Sequence, residues 1–239
     1  MRESQAARRA RASEIVKLLE LAYPDAACAL AHRNPFELLV ATILSAQCTD
    51  KMVNQVTPRL FARFGDARAL ANAPPAEVER IIQSTGFFRQ KAKSIQAVAR
   101  DIVERFGGSV PGTLDELITL RGVGRKTANV VLGDAFGVPG LTVDTHMTRV
   151  NRRLGLTQHE DPVKIERDLM ELIPREQWTL YSHRVIHHGR VCCDARRPQC
   201  EGCPLRERCP WPDSRAARAR PVRKAARSPA QRARARKRR

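Results

Sequence analysis

Four cysteines, Cys193, Cys200, Cys203 and Cys209, follow the spacing C-x6-C-x2-C-x5-C within HGRVCCDARRPQCEGCPLRERC. No other feature restricts the fold as tightly. Four thiolates within seventeen residues can tie a short loop around one metal centre, either zinc or an iron–sulfur cube. The chain has seven cysteines, an odd number, and no signal-peptide pattern follows Met1. Together these favour a reducing compartment and metal ligation over disulfides. The expected location is the cytoplasm.

At 239 residues, one or two small domains are expected. No run of eighteen apolar residues is present, so no membrane-spanning helix is expected. The formal net charge is +18, and twelve Lys/Arg with no acid fall between Arg215 and Arg239. Outside that tail the chain is therefore only moderately basic. The tail, rich in Ala, Arg and Pro, is expected to be disordered. It reads either as a solubilising extension or as an arm for phosphates, weakened by salt. The first twelve residues, MRESQAARRARA, read as a basic N-terminal extension.

Apolar residues recur at helical steps and no alternating strand pattern stands out. Ser13 is expected to cap a helix through Ile15, Leu18 and Leu19. Asn34-Pro35 and Asp161-Pro162 read as caps with proline at the first helical position. Asp50 is expected to cap a helix carrying Val53, Val56 and Leu60. Pro74-Pro75 opens another. A long helix with Ile95, Val98 and Ile102 ends at Gly107-Gly108. The expectation is an all-α chain of about ten short helices in two lobes.

LRGVGRKTANVVLG, at 120–133, reads as a helix, a tight turn and a second helix. Gly122 and Gly124 allow tight turning at Val123 and close approach of backbone N–H groups to a phosphate. An ordinary helix–helix connection would use the same glycines. Lys126 falls in the first turn of the second helix. The helix dipole and partial desolvation there favour a neutral amine, which can attack an electrophilic carbon. Lys126 by itself reads as a phosphate contact before it reads as a nucleophile. The spacing excludes a nucleotide-type phosphate loop, which needs four residues between its glycines. Asp144, in LTVDTH, could stabilise positive charge or take up a proton, or simply cap a helix. His146 reads as a supporting contact or as packing.

These motifs, in this order, resemble endonuclease III, the bacterial DNA glycosylase and abasic-site lyase family. ATILSAQCTDKMVN at 41–54 and STGFFRQKAKSI at 84–95 resemble that family's DNA-facing segments. The resemblance spans roughly residues 14–211. It implies an all-α, two-lobed helix-hairpin-helix glycosylase fold, with a six-helix barrel beside an iron–sulfur cluster lobe. On that pattern residues 34–140 form the barrel lobe, with the helix-hairpin-helix at 113–136. Residues 13–33 and 141–213 form the cluster lobe, flanked by the extension 1–12 and the tail 214–239.

The resemblance further implies that Lys126 attacks C1′ of a flipped-out nucleotide, with Asp144 assisting base departure. The four cysteines match the ligands of a [4Fe–4S] cluster, and Cys192 is left outside the set. Gln47 matches a residue filling the gap left by the flipped nucleotide. Phe87 stands where the family usually has a leucine wedge, with core packing as the other reading. Gly122, Val123, Gly124, Arg125, Thr127, His146, Arg196 and Arg197 are the further expected DNA contacts. Arg121 replaces a proline common before Gly-Val-Gly, and the hairpin is expected to survive. The implied partner is double-stranded DNA with damaged bases or abasic sites, bound by a monomer. An adenine or mismatch glycosylase of the same superfamily is the alternative enzyme. A non-catalytic DNA-binding iron–sulfur module is the alternative outside enzymes, and structural zinc the alternative metal.

Overall fold

The computed structural model describes residues 3–211. The tail expected at 214–239 lies outside the described residues, as do Met1 and Arg2. Among the described residues there are eleven α-helices, three short 3₁₀ turns and no strand.

Helix α1, Gln5–Ala22, starts well before Ser13. Ser4 caps it, its hydroxyl accepting from the Ala7 N–H at 3.2 Å. The misread extension is rich in alanine and arginine, both strong helix formers. Ala12 is buried. Arg11 donates to both carboxylate oxygens of Glu3 and, at 2.5 Å, to the Leu154 carbonyl. Residues 5–12 are thus part of the fold and not an extension of it.

Helix α2, Pro35–Leu44, is capped by Asn34, whose side chain accepts from the Glu37 N–H at 2.9 Å. Such a cap contributes about 1 kcal/mol. Helix α3, Asp50–Arg63, is capped by Thr49 and not by Asp50. Asp50 instead places its carboxylate in the first turn, at the positive end of the helix. Helix α4, Ala67–Ala71, has Asp66 as its cap. Helix α5, Pro75–Ile82, runs into a 3₁₀ turn at Gln83–Thr85. Helix α6, Phe88–Phe106, stops at Gly107, which has φ +64°. The short α7, Leu114–Leu117, leads through the glycine turn into α8, Arg125–Ala135. Helices α9, Thr145–Arg153, α10, Pro162–Met170, and α11, Trp178–Val191, follow.

Two hydrophobic clusters organise these helices. The first contains buried residues from Leu30 to Leu132, supplied by α2 to α8. The second joins Ala12, Ile15, Val16 and Leu19 of α1 to residues from Leu141 to Leu205. The chain therefore begins on the second cluster, crosses to build the first, and returns. The segment Ala22–Leu30 and the α8–α9 link form the crossings, and a cleft lies between them.

Candidate active site

The turn joining α7 to α8 is built on one buried side chain and two glycines. Val123 is buried, and its N–H donates to the Leu120 carbonyl at 3.1 Å. Gly122 has φ +80°, a conformation that disfavours any side chain. Gly124 has φ −91° and does not need glycine for its backbone. A Cβ at either glycine would meet nothing within 4 Å. What glycine supplies at Gly124 is open access to the first turn of α8. That helix end has no side-chain cap, so its N–H groups remain available to an anion.

Arg121 precedes the turn and is tied to α6. Its backbone N–H donates to Asp101 Oδ2 at 2.9 Å, and its guanidinium meets Asp101 Oδ1 at 2.7 Å. A proline has no N–H to make the first bond. The Arg121 guanidinium holds the Asp101 carboxyl below its ordinary range, and the backbone N–H adds to this.

Lys126 is exposed in the first turn of α8. The partial burial expected from the sequence is not found, so any desolvation of the amine must come with a ligand. Asp144 is half-buried and caps α9, Oδ1 accepting from the Met147 N–H at 2.8 Å. Its second carboxylate oxygen has no part in that cap. Both residues line a cleft of about 490 Å³, together with Tyr23, Cys28, Asp50 and His183. Both also line an adjoining, wider depression of about 890 Å³ with Arg149, Arg152 and Trp211. Lys126 belongs to the helices of the first cluster and Asp144 to those of the second. The cleft thus brings together two residues from separate cores.

Gln47 and Phe87 are the two non-glycine residues with positive φ among the described residues, at 51° and 46°. A left-handed conformation costs a residue with a Cβ about 1–2 kcal/mol. Both side chains are exposed, Phe87 by 69%. The core-packing reading of Phe87 is therefore wrong: the ring points away from the core, at the tip of the turn before α6.

Arg125 is exposed but paired with a buried acid. Its guanidinium meets Glu166 through two bonds, Nε to Oε2 at 2.5 Å and Nη2 to Oε1 at 3.1 Å. Thr127 is half-buried. His146 packs against Gly189, where an added Cβ would lie 2.9 Å from its Nδ1. Arg149 donates to the same nitrogen at 3.0 Å. Arg196 and Arg197 are exposed, and their backbone N–H groups both donate to Asp194 Oδ1, at 2.8 and 2.9 Å.

The cysteines converge. Cys192, Cys193, Cys200, Cys203 and Cys209 all line one cavity, with His188, Val150, Leu154 and Leu205. Such an apolar shell, open to several thiols, suits a cysteine-ligated centre. Arg153 spans its mouth, donating to Cys193 Sγ at 3.3 Å and to the Asp194 and Ala195 carbonyls. His188, Cys192 and Cys203 place ligand atoms within 4.8 Å of one another, so this group can hold a metal. Cys192, left outside the expected set, faces the same cavity. A hydrogen bond with Cys192, then burial, pushes the Cys203 thiol up to about 12. A bound cation would reverse this, because a coordinating thiol gives up its proton.

Several residues of this region escaped the sequence reading. Glu166 and Asn129 form one: Asn129 Nδ2 donates to Glu166 Oε1 at 3.0 Å and to the Leu141 carbonyl at 2.7 Å. Tyr23 is another, its hydroxyl 2.9 Å from His188 Nδ1. His183 pairs with Asp134 at 2.7 Å on the cleft wall. Lys91 lies buried below the Phe87 turn. No spacing rule connects these partners, which are up to 165 residues apart.

The sequence profile of the HhH-GPD superfamily of base excision DNA repair proteins matches residues 40–175. Endonuclease III of Synechocystis sp. is 56% identical over 206 residues, covering 86% of this chain and 94% of that protein. The Bacillus subtilis endonuclease III is 48% identical, covering 78% and 86%. The chain belongs to the endonuclease III family of this superfamily. A solved non-covalent endonuclease III–DNA complex superposes with a TM-score of 0.82 at 44% identity, over 87% of this chain and 98% of that one. A trapped endonuclease III–DNA covalent intermediate gives the same values. The helical fold and the helix-hairpin-helix resemblance hold, and with them the assignment as a DNA glycosylase and abasic-site lyase of base-excision repair. No described helix is long and apolar enough to cross a membrane.

Proposed function

We propose that this chain excises oxidised pyrimidines from duplex DNA and cleaves the resulting abasic site through an imine at Lys126. The observation that carries the reading is the meeting of Lys126 and Asp144, from separate cores, at one cleft. A nucleotide stacked inside a duplex cannot present its sugar carbon to Lys126, so the damaged one must leave the stack to reach the cleft. The open N–H groups around Gly122 and Gly124 would hold a backbone phosphate. Gln47 and Phe87 would enter the duplex, Phe87 prising the step and Gln47 taking the vacated place. Thr127, Arg196 and Arg197 would add backbone contacts.

The neutral Lys126 amine attacks C1′ as the C1′–N bond breaks, and the base departs with its bonding electrons and acquires a proton. The Asp144 carboxylate offsets the positive charge growing on the sugar. Loss of the nitrogen proton and ring opening give a protonated imine. Removal of a C2′ proton then expels the 3′ phosphate. Entry of DNA supplies the desolvation that the exposed Lys126 lacks in the free protein.

Cys193, Cys200, Cys203 and Cys209 would hold a [4Fe–4S] cluster. It would brace the loop that carries Arg196 and Arg197. Arg153 orders that loop from α9 through three hydrogen bonds.

Borohydride trapping on a duplex with one oxidised pyrimidine, with wild type beside Lys126→Ala, tests the proposal. A covalent adduct with wild type alone is expected. An equal adduct with Lys126→Ala would place the nucleophile elsewhere. No adduct on this lesion, with adduct on an adenine mismatch, would transfer the activity to the alternative substrate.

A further inference from the structure

Lys91 is a buried lysine with no carboxylate partner among the described residues, lying beside the left-handed turn at Phe87. It is 5% exposed. Its ammonium donates to the Thr85 carbonyl at 2.7 Å, and its own N–H donates to the Phe87 carbonyl at 3.0 Å. These two bonds bracket Gly86 and Phe87, both at positive φ. The Thr85 hydroxyl completes the turn by donating to the Ile82 carbonyl at 2.8 Å. Phe87 caps α6 without any side-chain hydrogen bond. Among the described residues, Lys91 therefore supplies the one side-chain bond from α6 to the backbone of this turn. Burial lowers its pKa, while the Cys48 thiol next to Gln47 acts in the opposite direction. That neighbour puts Lys91 within electrostatic reach of the other left-handed turn as well.

A lysine is an expensive residue to bury, and an apolar side chain at this place on α6 would fill the space without that cost. We infer that Lys91 is the positioning residue of the DNA-opening apparatus, holding the Thr85–Phe87 turn so that the exposed Phe87 ring is presented rigidly to the base stack. It touches neither the reacting sugar nor Lys126. It acts on extraction of the nucleotide, not on the chemistry that follows. This inference rests on the reading of Phe87 as the wedge.

The test uses two DNA substrates and two variants. On a lesion-bearing duplex, Lys91→Met is expected to slow single-turnover base release at least tenfold, with Lys91→Arg, which keeps a donor, recovering part of it. On a single-stranded oligonucleotide with a preformed abasic site, where nothing need be prised open, strand cleavage should stay within about twofold of wild type. The Lys91→Met effect should also vanish in a Phe87→Ala background, since the two act in one step. Equal losses on both substrates, or a full Lys91→Met effect without the Phe87 ring, would make Lys91 a general structural residue and overturn the inference. So would an unchanged duplex rate. If Lys91→Met fails to fold, Lys91→Gln enters the same cycle with the same criteria. Wild-type protein that is inert on both substrates would instead refute the proposed function, a separable outcome.

Discussion

Arg125 and Glu166 form a two-bond ion pair across the interface between the two cores. Arg125 adjoins Lys126 at the start of α8, and Glu166 lies on α10 with its side chain 4% exposed. Asn129 donates to the same carboxylate and to the Leu141 carbonyl, so one acid gathers α8, α10 and the connecting strand of chain. With the His183–Asp134 pair, it is one of the joins that set one wall of the cleft against the other.

Glu166→Ala should therefore destabilise by about 2–4 kcal/mol, since it leaves buried donors of Asn129 and part of Arg125 unpaired. Glu166→Gln should cost less, because its amide oxygen still accepts. Chemical denaturation checks both. A loss below 0.5 kcal/mol for the alanine variant, roughly that of an ordinary surface change, would show that the pair does not hold the cores together.

Asp101 gives the stability a predictable acid limb. Its carboxyl is held below the ordinary 3.8, first by the Arg121 guanidinium. A depressed folded-state value stabilises wherever the unfolded carboxyl is ionised, and the contribution fades as pH falls through the folded value. Wild type should thus exceed Arg121→Ala by a constant margin above about pH 5 and lose that margin below the ordinary carboxylate range. Denaturation midpoints across pH 2–7 would show it, and a margin independent of pH down to 2 would reject the linkage.

Asp144 has a capping role and a proposed chemical one, and one substitution separates them. Asparagine caps as well as aspartate, so Asp144→Asn should leave the melting temperature within a few degrees. Base release should fall by roughly a hundredfold or more, as for loss of one electrostatic stabiliser. Asp144→Ala should add a stability loss of about 1 kcal/mol. Full base release by Asp144→Asn would leave the residue a cap and nothing else.

The five clustered thiols make a testable division. Serine in place of Cys193, Cys200, Cys203 or Cys209 should remove the iron, sulfide and visible absorption of the purified protein. Cys192→Ser should keep them, if its thiol only packs against Cys203. Iron and acid-labile sulfide analysis reads this without any activity assay. Zinc in place of iron in wild type would favour the tetrahedral alternative.

Local chemistry was readable from the chain, and long-range partnership was not. Asn34 and Asp161 announce their helices because a short polar side chain before an apolar run satisfies N–H groups that the helix cannot. Gly122-Val123-Gly124 likewise announces a turn. The start of α1 was misread because polarity suggested an extension, while helix propensity and the ties of Arg11 decided otherwise. Thr49 displaced Asp50 as a cap by a single residue, within the ordinary latitude of helix ends. The ion pair of Arg125 could not be read because its acceptor, Glu166, stands 41 residues away. Lys91 was hidden for the same reason in reverse: among the lysines and arginines that open α6, nothing in the spacing tells which one turns inward.

Gln47 and Phe87 carry the clearest conflict between stability and use. Glycine adopts their left-handed conformation without a Cβ penalty, and neither exposed side chain contributes to a core. Gln47→Gly and Phe87→Gly should thus each be neutral to stabilising, by up to about 1 kcal/mol, the relief being partly offset by the greater freedom of glycine in the unfolded chain. Both should weaken extraction of a lesion from duplex DNA, Phe87→Gly more, because an apolar ring is what enters the step. A fluorescent base opposite the lesion would report opening directly, and denaturant midpoints would report stability. Marked destabilisation of either variant would mean that the side chain is held by contacts in the free protein. Undiminished opening by Phe87→Gly would remove the ring from the mechanism and leave Gln47 as the element entering the duplex.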